Sequence, residues 1–337
     1  MSASVRDVAK RAGVSVGTVS NVLNHPEKVS AATVKRVKTA IADLGFVRND
    51  AARQLRAGKS RSIGLVVLDL ANPFFTDLGR GVEARANLSG LTVLVGNSAE
   101  DAQRERRYLE QFEQQRLQGI LLTPRGEVGE KLVHLREQGI AVVLVDREAG
   151  ESGFSSVAVD DEAGGAMAAN HLLEIGRRRI AYVAGPMAIR QVSDRLRGVE
   201  SATANTGASV EVIEVPALSL ACGRRAGDEI AARPESERPD AIFAANDLLA
   251  IGLLQGLMGG GVAVPEDIAI IGYDDIEFAS AAVIPLSSIR QPAYAMGEAA
   301  FDLLIDETKS LSNGEVPVPR RVVFEPEIVV RYSTRPK

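Results

Sequence analysis

The chain has 337 residues, 45% hydrophobic and 25% charged, with a formal net charge of −5; this composition is that of a globular protein, and the length predicts two or three domains. A single cysteine, Cys222, excludes an internal disulfide and a cysteine-rich metal site, and His25, His134 and His171 are too scattered for a histidine-centred cluster, so no metal is expected. The start, "MSASVRDVAKRAGVS", lacks the apolar core of a secretory signal and no later run approaches the roughly 18 apolar residues of a membrane span, which predicts a cytoplasmic protein with no membrane partner.

The charge is unevenly divided. Residues 1–61 carry 12 Lys and Arg against 4 Asp and Glu, whereas the remainder carries 27 against 40. A basic head on an acidic body predicts a polyanion-binding end, because nucleic acid would repel the body. In the head, "SVRDVAKRAGVSVGTVSNVLN" predicts two short helices meeting at a glycine. Val5, Val8, Ala9 and Ala12 lie at helical spacing, Gly13 allows a left-handed turn, and Ser15 caps a second helix carrying Val19, Val22 and Leu23 inward. That is a helix-turn-helix. A third helix follows Ser30, with Val34, Val37, Ile41 and Leu44 on its buried stripe and Gly45 at its end. Gly17 and Asn21, with Val16 and Ser20 beside them, form a face of the second helix not needed for packing, and this face would enter a major groove. Next comes "RNDAARQLRAGKS", residues 48–60, where Asn49 is an N-cap candidate and Ala51, Ala52 and Leu55 share one face. So short a helix is marginal alone in water and needs a partner.

"VRDVAKRAGVSVGTVSNVLN" followed by "VSAATVKRVKTAIADLGFVRNDAARQL" resembles the DNA-binding head and hinge of the lac repressor / gal repressor family of bacterial transcription regulators. The resemblance implies that Val16, Gly17 and Asn21 read bases of double-stranded operator DNA, while Ser4, Ser15, Thr18, Ser20 and Asn24 contact phosphates. Asn21 can pair with adenine through two hydrogen bonds, Val16 offers apolar contact, and at position 17 the usual polar reader is missing. It also implies that residues 48–60 are a hinge helix that forms on DNA beside the same helix of a second subunit. Leu55 would be wedged between base pairs from the minor groove, with Arg53 and Arg56 near phosphates. The alternative is a linker whose leucine packs on the body.

From Ser62 onward apolar runs ("SIGLVVLDL", "LTVLVGN", "GILLTP", "AVVLVDR") alternate with helical stretches near 74–89, 101–116 and 127–138. A second series ("IAYVAGP", "VEVIEVP", "AIFAAND", "IAIIGYDD") alternates with helices near 161–175, from about 193, and near 220–232 and 247–257. Parallel sheets with right-handed crossovers in two subdomains are predicted. The pattern resembles the type I periplasmic-binding-protein fold, so the expected fold class is a small all-α helix-turn-helix head plus an α/β body of two Rossmann-like subdomains. The expected boundaries are 1–46 for the head, 47–61 for hinge and linker, 62–159 with 290–319 for the first subdomain, and 160–289 with 320–337 for the second.

In such sheets ligands lie beyond the carboxyl ends of strands. Polar residues follow the apolar runs here, and the resemblance implies effector contacts at Phe74, Phe75, Asp146, Arg195, Asn246, Asp274 and Gln291. Aromatic rings cover an apolar face, Asp274 accepts from hydroxyls and Arg195 donates in fixed geometry, which suits a sugar, sugar phosphate or polyol. Arg190 is assigned to the same pocket, where it would favour an acidic or phosphorylated effector. Leu218, where some relatives place an aromatic ring over a flat base, argues against a purine.

An enzyme is the main rival class. The adjacent pairs Asp160–Asp161 and Asp274–Asp275 point to opposite sides of an extended segment and make poor catalytic pairs. No "GxxxxGK[ST]" loop is present, and "GGG" at 259–261 reads as a helix stop, so no cofactor is expected. A secreted solute-binding protein would explain the body but not the basic head. The expected function is a dimeric or tetrameric transcription regulator, a repressor without catalysis. Release of DNA on effector binding is the expected sign, although relatives also use co-repressors.

Overall fold

A computed structural model describes residues 3–46, 60–126 and 129–335. The chain divides into two compact units, a head ending at Gly58 and a body from Lys59. The expected hinge helix, with Arg53, Leu55 and Arg56, lies outside the described residues. No described helix is long and apolar enough to cross a membrane.

The head is three helices, Val5–Ala12, Val16–Asn24 and Ala31–Asp43. Ser4 and Asp7 form a reciprocal cap at the first, Ser15 accepts from the Thr18 amide at the second, and Ser30 accepts from the Thr33 amide at the third. Each cap satisfies amides that the first turn leaves unpaired. Gly13, at φ +64°, supplies the left-handed turn between the first two helices. Val8, Val19 and Val37, one from each helix, are fully buried at the centre, with Leu23, Val34, Ile41, Leu44 and Phe46 packed around them.

The body contains two six-stranded sheets. The first runs β11 (Arg321–Phe324), β5 (Ser155–Val159), β4 (Ala141–Val145), β3 (Gly119–Leu122), β1 (Ser62–Val67) and β2 (Thr92–Asn97), all parallel. The second runs β12 (Glu327–Val329), β10 (Ser287–Arg290), β9 (Ala269–Asp274), β8 (Ala241–Ala244), β6 (Arg179–Ala184) and β7 (Ser209–Glu214), parallel except for β12 against β10. Central strands such as Ala141–Val145 and Ala241–Ala244 are buried on both faces, which explains their continuous apolar runs. Helices cover the faces in close pairs. In the pair Pro73–Leu88 and Ala293–Ser312, a Cβ on Gly81 would stand 2.1 Å from the Tyr294 carbonyl oxygen, so only glycine permits this approach.

One boundary differs from the sequence expectation. Residues 321–324 do not join the second subdomain: they pair in register with Ser156–Val159 at the edge of the first sheet, and the chain crosses to the second with Glu327–Val329 and stays there through Ser333, whose amide donates to the Pro285 carbonyl. The helix expected near 193 begins at Arg190, three residues earlier. That shift bears on the site.

Candidate functional site

Loops and helix starts at the carboxyl ends of both sheets meet in a cleft enclosing about 460 Å³ of empty space, mouth included. Phe74, Phe75, Asp146, Arg195, Asn246, Asp274 and Gln291 all line it. Arg190 does not. It faces a separate polar cavity with Arg197 and Asp194, and its Nε lies 3.5 Å from Asp194 Oδ2. Consecutive helical residues point about 100° apart, so with the helix starting at Arg190 the next residue, Gln191, takes the place in the cleft.

Arg195 is the cleft's buried cation. Its Nε donates to Asp161 Oδ1 at 2.7 Å, its Nη1 donates to the Ala245 carbonyl at 2.6 Å, and its guanidinium lies 3.5 Å from the centre of the Tyr273 ring. These contacts fix the fork before any ligand arrives. Asp274, with φ +102°, receives a hydrogen bond from Asn72 Nδ2 at 2.9 Å and another from Gln291 Nε2 at 2.8 Å. Asp146, with φ +58°, receives one from Gln191 Nε2 at 3.0 Å on Oδ2 and another at 2.6 Å on its backbone carbonyl. Two carboxylates thus bond to amides supplied by the opposite half. Asn246 caps the helix Asp247–Gly259 through the Leu249 amide, so its capping and cleft-lining roles coexist. Phe74 and Phe75 meet edge to face at 5.0 Å and close the apolar side with Leu68, Ile189 and Val192.

Burial raises the Asp146 carboxyl well above the ordinary carboxylate range; Asp161 adds to the shift and Arg195 opposes it. Asp274 is raised by burial too, with Arg195 and its two amide partners opposing. Glu100, at the cleft wall, is raised by burial and then by Asp69. Asp275 turns the other way, into ion pairs with Arg290 and Arg331, and is structural.

Asn72 and Gln191 also line the cleft, outside the expected set of contacts. Asn72 carries a local signal, since Asn before Pro73 marks a helix start; its second bond, to a residue 202 positions away, carries none.

On the head, Val16 and Asn21 are exposed and Gly17 lies between them, leaving a face outside the core. Ser4 and Ser15 cap helices, Ser15 Oγ and Thr18 Oγ1 are 2.9 Å apart, and Asn24 Nδ2 donates to the Ser20 carbonyl at 2.9 Å. Ser15 and Thr18 stand at the start of the second helix and Ser20 and Asn24 near its end, while Ser4 stands at the start of the first.

A family model described as "Bacterial regulatory proteins, lacI family" matches residues 4–49, and one described as "Periplasmic binding protein-like domain" matches residues 169–334. The HTH-type transcriptional repressor PurR of Aliivibrio fischeri is 34% identical, with 98% of each chain covered. The ribose operon repressor of Bacillus subtilis is 35% identical, with 99% of each chain covered. Among solved structures, the lac repressor dimer bound to operator and the anti-inducer ONPF is 25% identical, with a TM-score of 0.84 and 99% of each chain covered. Head, cleft and whole-length similarity agree: the chain belongs to the lacI family of bacterial regulatory proteins, DNA-binding transcription regulators that join a helix-turn-helix head to a periplasmic-binding-protein-like effector domain.

Proposed function

We propose that this protein is a cytoplasmic homodimeric repressor whose grip on operator DNA is set by a small hydroxyl-rich effector in the cleft. The carrying observation is that Asn72, Asp146, Gln191, Arg195 and Asp274 come from both halves of the body and converge on one cavity. A ligand held by both halves binds one angle between them better than others, and so shifts the population toward it. A ribose operon repressor and a cellobiose complex among the similar proteins support a sugar. In the head, Val16, Gly17 and Asn21 are assigned to bases and Ser4, Ser15, Thr18, Ser20 and Asn24 to phosphates. Leu55, Arg53 and Arg56 are assigned to a hinge helix formed on DNA. An operator selected from random duplexes should bind with a log affinity that falls linearly with log salt, and deleting residues 1–61 should abolish that binding while sparing ligand binding. Comparable DNA binding by the body alone would refute the assignment. Leu55→Ala should lower the ratio of operator to random-DNA affinity.

A further inference from the structure

The ionisable groups lining the cleft are four carboxylates, Asp69, Glu100, Asp146 and Asp274, against one cation, Arg195. Arg195 is itself engaged by Asp161 directly behind it. Of the cations nearby, Arg80 pairs with Asp77 at 2.9 Å, Arg290 pairs with Asp275 at 2.8 Å and Arg147 donates to the Gly126 carbonyl, while Arg125 stands close enough to Glu100 to oppose the rise of its carboxyl. Arg190, the residue that would have received an acidic group, faces elsewhere.

A second, independent observation has the same sign. Three buried polar atoms of cleft-lining side chains have no hydrogen-bond partner: Asp146 Oδ1, Gln191 Oε1 and Gln291 Oε1. Asp146, Gln191 and Gln291 are each 5% exposed or less. Gln191 is oriented by its Nε2, which donates to the Asp146 backbone carbonyl, a group that can only accept, and Gln291 by its Nε2, which donates to Asp274 Oδ1. All three open positions are therefore acceptors, and a buried acceptor left unmatched is costly. A ligand that brings donors to these atoms matches them, and one that brings acceptors does not.

We propose that the effector carries no phosphate or carboxylate and is an unphosphorylated polyhydroxyl compound, with an amino group accepted in place of a hydroxyl. This rests on the sugar-sensing role proposed above and narrows it. A neutral hydroxyl donates to Asp146, Gln191 and Gln291 and accepts from Arg195. An ammonium donates more strongly and offsets the acidic wall. A phosphate or carboxylate brings acceptors to acceptors and its negative charge to a wall in which carboxyls outnumber cations.

The test is calorimetric titration of the full-length protein with matched sets: pentoses, hexoses and polyols, their monophosphates, their uronic acids, and 2-amino-2-deoxyhexoses. Every binder should be uncharged or amino-substituted, and its phosphate or acid form should bind at least about tenfold more weakly. A phosphate or acid form that binds as tightly as its uncharged counterpart overturns the charge assignment and leaves the sugar-sensing role standing. A panel with no binder at all overturns the sugar-sensing role instead. The charge assignment is then decided by inorganic phosphate, sulfate and citrate alone. None should give a saturable rise in melting temperature; a saturable rise that is lost in Asn246→Ala overturns it.

Discussion

Asn72 joins the two halves of the body through Asp274: its Nδ2 donates 2.9 Å across the cleft while its Oδ1 accepts from the Phe74 amide and caps the helix Pro73–Leu88. One side chain thus ties a helix start in the first half to a strand end in the second. Asn72→Ser keeps the cap, since serine serves there almost as well, but is too short to reach Asp274. The ligand-free body should lose about 1–2 kcal/mol, seen as a melting temperature lower by about 2–5 °C. Its radius of gyration by small-angle scattering should increase. If both quantities match wild type, the bond contributes nothing to closure.

Asp146 should weaken the body in proportion to its charge. It faces Asp161, Asp274, Arg195 and Gln191, and burial raises its folded-state titration above the unfolded value. Between those two values the folded protein holds more protons than the unfolded chain, so stability rises as pH falls through that window and is lowest above it. Asp146→Asn keeps the shape and removes the charge. At pH 8 it should melt higher by about 2–4 °C, a gain of about 1 kcal/mol, and the gap should close toward pH ~4. A melting curve series across pH checks this. An equal gap at every pH would show that the charge is not its source.

The same substitution should weaken effector binding. It replaces a carboxyl oxygen of the cleft lining with an amide, so affinity for the proposed effector should fall by about tenfold or more in calorimetry while operator binding without effector is retained. Wild-type affinity should also decline as pH falls, beginning above the ordinary carboxylate range, because a donor ligand needs the ionised form.

Gly17 is not demanded by the head. Its φ lies outside the left-handed region and an added Cβ would meet only Ser15 Oγ at 3.7 Å. Glycine in a helix costs about 1 kcal/mol relative to alanine, so Gly17→Ala should slow hydrogen exchange of residues 5–43. It should also change the operators selected from random duplexes, because a methyl group then stands on the proposed base-reading face. Unchanged selection would remove position 17 from that face.

What the sequence disclosed follows the range of each interaction. Asp274 and Asn246 stand directly behind apolar runs, and the strand-end rule exposes them without any tertiary information. Arg190 rather than Gln191 is the expected cleft residue because a helix start is not readable to one residue, and one residue turns a side chain by about 100°. "RVVF" at 321–324 has the pattern of any short edge strand, and its pairing with Ser156–Val159 is a register set by distant chain. The unmatched acceptors of Gln191 and Gln291 exist only once the cleft has assembled.

The chain crosses between the halves three times, after β5, after β10 and between β11 and β12, and the crossings are tied together. The Asp160 amide donates to the Phe324 carbonyl at 3.0 Å, and Arg290 Nη1 donates to Glu327 at 3.1 Å. A single tether would leave two bodies free to swivel about any axis. Three tethers laced side by side act as a door hinge with three knuckles, stiff to twisting and sliding but compliant in one swing. Whatever the cleft captures, the body has one principal coordinate in which to register it: the angle at which its two leaves stand.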